Sequence, residues 1–265
     1  MPASPGPTTW LHDLDGVVWR GTTPIPGAAD AVAALRRAGH RVAFCTNNSA
    51  ATVDRYVERL VAAGIDASPE EVVTSAQAVA TLLEPGDRAL AVADTGVVEA
   101  LEARGVEVHR PGHDARVDAV VVGLWRSFDY AAMDAATVAI AGGARFLATN
   151  TDSRFPREDG FGPGCGALVA SIATATGATP EVAGKPYAPM VRLVRERFGD
   201  HGVVVGDTPA TDGALAEALG WTFGLVLTGN TAAGEEPAGI DPDWVAADLA
   251  SLVARHGGRP APAAR

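Results

Sequence analysis

Short apolar runs recur along this chain, and several of them stop abruptly at oxygen-rich residues. Residues 10–14 carry Asp13 and open onto Asp15-Gly16, residues 41–45 run into Thr46-Asn47-Asn48, and residues 203–205 run into Gly206-Asp207. Between such runs lie stretches with apolar positions at helical spacing, for example Val53, Tyr56, Val57, Leu60 and Val61. Strand and helix alternating at this interval predict βα units and a mostly parallel α/β sheet. Ligand sites in open sheets of this kind lie off the carboxyl ends of the strands. The polar tips at 13–15, 46–48 and 207 are therefore expected to meet in one place.

In chain order, the pattern predicts helices over residues 28–38, 49–63 (with Ser49 as N-cap) and 76–83, and a short strand over 72–74. After Pro85-Gly86 the pattern restarts. Strands are expected over 89–93, 106–109, 119–122 and 145–148, with helices over 96–103 and 129–141. A helix over 187–198, a strand over 203–205, a helix over 210–219, a strand over 223–227 and a last helix over 242–254 resume the first unit. This restart and resumption predict that residues 80–183 form a second α/β unit inserted into a first made of 1–79 and 184–265. The tail from Gly257 is expected to fray.

Composition narrows the function classes. At 265 residues with a mean hydropathy of +0.11, the chain can bury a sizeable core. Its formal net charge of −11 argues against nucleic acid and anionic membranes as partners, so any phosphate site needs local positive charge. No apolar run reaches the roughly 18 residues of a membrane span, and the first nine residues lack the basic and apolar regions of a secretory signal. Only Cys45 and Cys165 are present, which points to a reducing, cytoplasmic setting. The six histidines show no metal-ligand spacing, so zinc is not expected.

Four short motifs carry candidate chemistry. Asp13 and Asp15 serve equally well as turn residues, but a carboxylate pair at a strand tip has a specific use. Asp13 can attack phosphorus, and Asp15 can protonate the departing alkoxide and then deprotonate a water. Thr46 and Asn47, at a strand end before a helix, form a phosphate cradle or an ordinary helix entry. Lys185, between Gly184 and Pro186, is the single lysine of the chain, a compact charge suited to a phosphoryl oxygen. Asp207 suits a hard cation such as Mg²⁺, with Asp212 behind it, while Thr208 or Asp207 followed by Pro209 also reads as a helix cap.

Asp13-x-Asp15-Gly16, Thr46-Asn47-Asn48, Gly184-Lys185-Pro186 and Gly206-Asp207-x4-Asp212, in this order, resemble the four motifs of the haloacid dehalogenase-like superfamily. Residues 72–76, 148–152 and 225–229 are similar to its class IIA branch. The resemblance implies a Rossmann-like doubly wound parallel core with an inserted C2-type α/β cap. It implies Asp13 as nucleophile, Asp15 as general acid and base, and Thr46, Asn47 and Lys185 on the phosphoryl group. It also implies Mg²⁺ on Asp13, the Asp15 carbonyl and Asp207, and contact between caps in a homodimer. Two positions depart from the family pattern: His12 stands where an apolar residue is commoner, and Thr208-Pro209 replaces a commoner Arg-Leu or Asn-Leu pair.

The expected activity is hydrolysis of a small phosphoester, by way of an aspartyl-phosphate. Asp15 argues against halide displacement, which needs no proton donor. A phosphomutase shares the first step, and a binding module of the same fold without turnover is the other class. For the leaving group, Asn48, Tyr130, Asn150, Asp152 and Arg154 are polar candidates, each with a competing reading as a turn or surface residue.

Overall fold

The computed structural model describes residues 8–112, 116–157, 160–232, 234 and 239–257. The start of the N-terminal leader, His113 and the tail beyond Gly257 lie outside the described residues. Strands Thr9–His12, Arg41–Thr46 and Val72–Thr74 form one side of a parallel sheet; Gly202–Gly206, Thr222–Val226 and Trp244–Ala246 continue it on the other. The first strand is thus central, and strand order reverses beside it. Such a switch point is where a doubly wound fold binds its ligand. His12 pairs with both Phe44 and Val205, so Asp13, Thr46 and Asp207 emerge from the same end of the sheet.

These strands are buried on both faces, which is why they read as continuous apolar runs. Trp10, Phe44, Val203 and Val205 face one helical layer, whereas Leu11, Ala43, Cys45 and Val204 face the other. The second layer leads straight into the inserted unit. Its apolar cluster runs from Leu11 and Ala43 through Ala76 and Val79 to Val97, Leu101, Ala89 and Ala119. There a second parallel sheet has the order Glu181–Val182, Arg145–Ala148, Ala119–Val122, Arg88–Val92, Glu107–His109. The protein therefore has the parallel α/β core with an inserted α/β unit expected from the pattern, in the doubly wound order that the resemblance implies.

Several boundaries differ from expectation. Ser49 does not cap the second helix. Its hydroxyl is buried and accepts the Leu124 N–H at 3.1 Å, while Thr52 caps Val53–Ala62 by accepting from Arg55 N. The helix expected over 76–83 is Ser75–Ala80, capped by Thr74 and Gln77. The last helix expected over 242–254 splits. Trp244–Ala246 pairs as an edge strand, and Asp248 caps a separate helix Leu249–His256. Pro209–Gly213 forms a wide π-type turn before the helix Ala214–Leu219. The hairpin Arg154–Arg157 with Gly160–Pro163, and the helix Cys165–Thr176, carry too little polar alternation and too many glycines to be read in advance.

Candidate active site

Asp13, Asp15, Thr46, Asn47, Lys185 and Asp207 line one cleft of about 270 Å³ at the carboxyl end of the core sheet. Asp13 continues the central strand by one rung, its N–H donating to Val205 O at 2.8 Å. The chain then turns back on itself between Leu14 and Trp19. This turn brings the Trp19 indole N–H to Asp15 Oδ1 at 3.0 Å. Arg59 stacks over the same indole, 4.0 Å from its centroid, so the acid at 15 has a donor and a nearby cation behind it.

Lys185 is buried and fully committed. Its Nζ donates to Asp13 Oδ1 at 2.8 Å, Asp212 Oδ1 at 2.6 Å and the Cys45 carbonyl at 3.3 Å. Burial alone would lower an ammonium of this kind; the two carboxylates outweigh it and hold Lys185 well above its usual range. Asp212 lies behind the cleft, its second oxygen accepting the Thr208 N–H at 3.1 Å. It therefore orients Lys185 and the 207–208 turn together. The Thr208 hydroxyl donates to Asp207 Oδ1 at 2.8 Å, and the Asn230 N–H donates to Asp207 Oδ2.

The acids of this cluster repel one another. Burial pushes the Asp13 carboxyl well above the ordinary range; Lys185 pulls it back, while Asp212 and Asp207 push it up again. Burial and the Asp212 charge raise Asp207 to about 6. Asp15 is raised by burial, against the pull of Arg59 and the Trp19 hydrogen bond. Carboxylate oxygens of Asp13, Asp207 and Asp212 lie within 4.8 Å of one another. Three buried carboxylates face one ammonium, so the cluster lacks positive charge.

That deficit and the all-oxygen donor set fit a hard divalent cation such as Mg²⁺, and no histidine among the described residues joins the cluster. Space is kept open beside it as well. A Cβ at Gly16, which has φ of +89°, or at Gly229 would collide with the Asp207 carboxylate. Asp212 lies behind the cleft, held by the Lys185 ammonium and the Thr208 N–H, whereas Asp13 and Asp207 line it and are the residues that would hold an ion.

Of the candidates for the leaving group, Asn48, Asn150, Asp152 and Arg154 line the cleft. Tyr130 does not. It is the exposed first residue of the helix Tyr130–Ala141, which buries only Ala132 and Ala136, and Asp129 caps that helix through the Ala132 N–H. Arg154 lies at the hairpin, its guanidinium 4.2 Å from the Phe161 ring centroid. Thr46 Oγ1 accepts the Asn48 N–H at 3.0 Å, which leaves its hydroxyl proton free to donate. His12 is an aromatic core residue in practice. Burial lowers it to about 4, its ring sits 5.8 Å from Phe44, and Nδ1–H donates to Ala43 O at 3.2 Å.

Sequence reasoning missed Trp19, Ser75 and Asn230. Trp19 gives no local signal because only the reverse turn brings it to Asp15. Ser75, whose hydroxyl donates to Asn47 O at 2.6 Å, reads as an ordinary helix-entry residue. Asn230 directly follows the family-like segment at 225–229 and was within reach of that signal.

Comparison with known proteins agrees with this geometry. Residues 10–107 match the family described as haloacid dehalogenase-like hydrolase, and residues 182–252 match the one described as HAD-hydrolase-like. D-glycerol 3-phosphate phosphatase of Mycobacterium tuberculosis is 38% identical over 252 residues, covering 91% of this chain and 70% of that protein. Acid sugar phosphatase of Staphylococcus aureus is 33% identical, covering 92% and 96% respectively. The crystal structure of glycerol phosphate phosphatase from M. tuberculosis in complex with magnesium superposes with a TM-score of 0.84 at 38% identity, covering 92% of this chain and 76% of that one. The chain belongs to the haloacid dehalogenase-like hydrolase family, in its class IIA branch.

Proposed function

We propose that this chain is a Mg²⁺-dependent phosphomonoester hydrolase working through an aspartyl-phosphate on Asp13. In the first step an Asp13 oxygen forms a bond to phosphorus as the ester P–O bond breaks, and the departing alkoxide takes its proton from Asp15. In the second, Asp15 takes a proton from water, the water oxygen bonds to phosphorus, and the acyl-phosphate bond to Asp13 breaks. Thr46 holds a phosphoryl oxygen, and Lys185 reaches one by exchanging one of its own acceptors for it, which offsets the charge that the anion brings to Asp13. Asp13, the Asp15 carbonyl and Asp207 would hold Mg²⁺, which supplies positive charge to the phosphoryl oxygens.

The observation that carries this reading is Asp15. A half-buried carboxyl with a raised pKa, oriented by Trp19 two residues beyond a nucleophile, is suited to carry a proton to an alkoxide and back. The test is release of inorganic phosphate from a phosphoester panel, with and without Mg²⁺. Release is expected only with the metal and with no second sugar phosphate present, which separates hydrolysis from mutase chemistry. Asp13→Asn is expected to lower turnover by at least about a thousandfold with the fold retained. No Mg²⁺-dependent release across the panel would overturn the proposal in favour of a binding module.

For the substrate, the cleft volume and its amide and hydroxyl lining, from Asn48, Asn150, Ser153, Thr211 and Asn230, support a small polyol or sugar phosphate. The glycerol phosphate and acid sugar phosphatases among the relatives point the same way. Residues 80–183 act in this reading as the cap over the leaving group; every strand of the second sheet falls inside that interval. Among the described residues no helix is long and apolar enough to cross a membrane, and both cysteines are free and buried, which supports a cytosolic enzyme. The acidic charge argues against a nucleic-acid partner. Exposed Tyr130 and Val138 on the cap helix support a homodimer formed there.

A further inference from the structure

Asn47 occupies the position where a phosphate ligand is expected, yet its side chain is used entirely by the protein. Its Oδ1 accepts the Lys185 N–H at 2.7 Å, and its Nδ2 donates to the Lys185 carbonyl at 3.2 Å. The amide thus pairs with the main chain of Lys185 as one strand pairs with another. Gly184 makes this approach feasible, since a Cβ there would strike Asn47 Oδ1 and the Thr149 carbonyl. The remaining Nδ2 hydrogen points at Asp152, 3.1 Å from Oδ2 and 3.3 Å from Oδ1. Both amide hydrogens and the amide oxygen have protein partners, so the side chain has no donor to spare for a phosphoryl oxygen.

Asp152 comes from the inserted unit, and it does not reach across alone. Asn150 Nδ2 donates to the Asn47 carbonyl at 2.6 Å, and Asn150 Oδ1 accepts the Asp152 N–H at 3.1 Å. Asn150 and Asp152 therefore grip residue 47 from two sides, one through its carbonyl and the other through its amide. The grip is itself anchored, because the Asp152 carbonyl accepts the Gly166 N–H at 2.9 Å from the helix Cys165–Thr176. A chain of hydrogen bonds runs from that cap helix through Asp152 and Asn47 to the main chain of Lys185. Its end is the ammonium 2.8 Å from Asp13.

We propose that Asp152 is a positioning residue that acts through Asn47 on Lys185, so that the cap completes the phosphoryl-binding arrangement as well as covering it. This inference rests on the phosphatase reading above, and it separates two roles for a cap carboxylate. A residue that selects the leaving group affects one ester more than another. A residue that positions Lys185 acts on the phosphoryl group, which every substrate shares. Its effect is therefore the same whatever the leaving group.

The test compares Asp152→Ala and Asp152→Asn on 4-nitrophenyl phosphate and on glycerol 3-phosphate, with calorimetric binding of inorganic phosphate in the presence of Mg²⁺. Asp152→Ala is expected to lower kcat on both esters by one common factor, about 10- to 100-fold, and to weaken phosphate binding about tenfold. Asp152→Asn keeps an oxygen that accepts from Asn47, and is expected to restore both quantities to within about threefold. A loss confined to one ester, an unchanged alanine variant, or an asparagine variant as poor as alanine would each overturn the proposal. Asp152→Ser with a parallel melting curve replaces the alanine variant if that one does not fold. If the unmodified protein turns over no ester, the phosphatase reading fails and phosphate binding alone decides the positioning role. If it also binds no phosphate, both are overturned.

Discussion

The Trp19 indole donates to Asp15 across a reverse turn, with Nε1 3.0 Å from Oδ1. The bond fixes where the Asp15 carboxyl points and favours its charged form. Trp19→Phe keeps an aromatic ring in the core, though a smaller one, and removes the donor, so the Asp15 pKa should rise further. The expected result is a roughly tenfold lower kcat, with the acidic limb of its pH profile moved to higher pH. Steady-state kinetics from pH 5 to 8 checks this, and an unmoved acidic limb counts against the role of Asp15.

Lys185 is the counter-charge of two buried carboxylates. Lys185→Met leaves Asp13 and Asp212 facing each other without it, which should cost about 3–5 kcal/mol of stability when no metal is added. Part of that loss should return on adding Mg²⁺, because a divalent cation brings charge back to the same cluster. Melting curves with and without Mg²⁺ measure both effects. Turnover should remain low either way, since the positive charge that the proposed mechanism places beside Asp13 is gone.

The Asp207 carboxyl gives a metal-linked pH dependence. Its folded pKa of about 6 lies above the unfolded value of 3.8. Without metal it therefore contributes stability that is full below the unfolded pKa and is lost as pH rises through about 6. Mg²⁺ competes with that proton. The Mg²⁺-induced rise in Tm should be largest above pH 7 and shrink as pH falls through about 6. A Tm gain that is constant from pH 8 to 5 would remove Asp207 from the metal site.

His12 works in the opposite sense. Its folded pKa is lowered to about 4 from 6.5, so the unfolded chain takes up a proton first as pH falls. Stability should drop by about 3 kcal/mol between pH 6.5 and 4 on this account alone. His12→Phe, packed against Trp10 and Phe44, should flatten that slope. Denaturant unfolding with saturating Mg²⁺, which suppresses the Asp207 contribution, makes the comparison.

How much of this was legible in advance depended on the range of the interaction. Strands such as Gly202–Gly206 announce themselves because both of their faces are buried, and the apolar run is continuous. Ser49 misled because a local cap signal looks the same whether the hydroxyl meets its own helix or, as here, the Leu124 N–H 75 residues away. Trp244–Ala246 misled for a related reason, since three residues pair as an edge strand only when a neighbouring strand is present.

The linear chain by itself determined the alternation of strands and helices, the interruption by a second α/β unit, and the residues able to attack, protonate and neutralise a phosphoryl group. Those properties reside in residue chemistry and short-range spacing. The tertiary structure alone decided which partner each buried polar group found. It set Trp19 on Asp15, two carboxylates on Lys185, and Asp152 and Lys185 on opposite sides of Asn47. Buried polar groups must be satisfied by whatever the fold brings near, and partners as far apart as 172 residues leave no trace in local pattern.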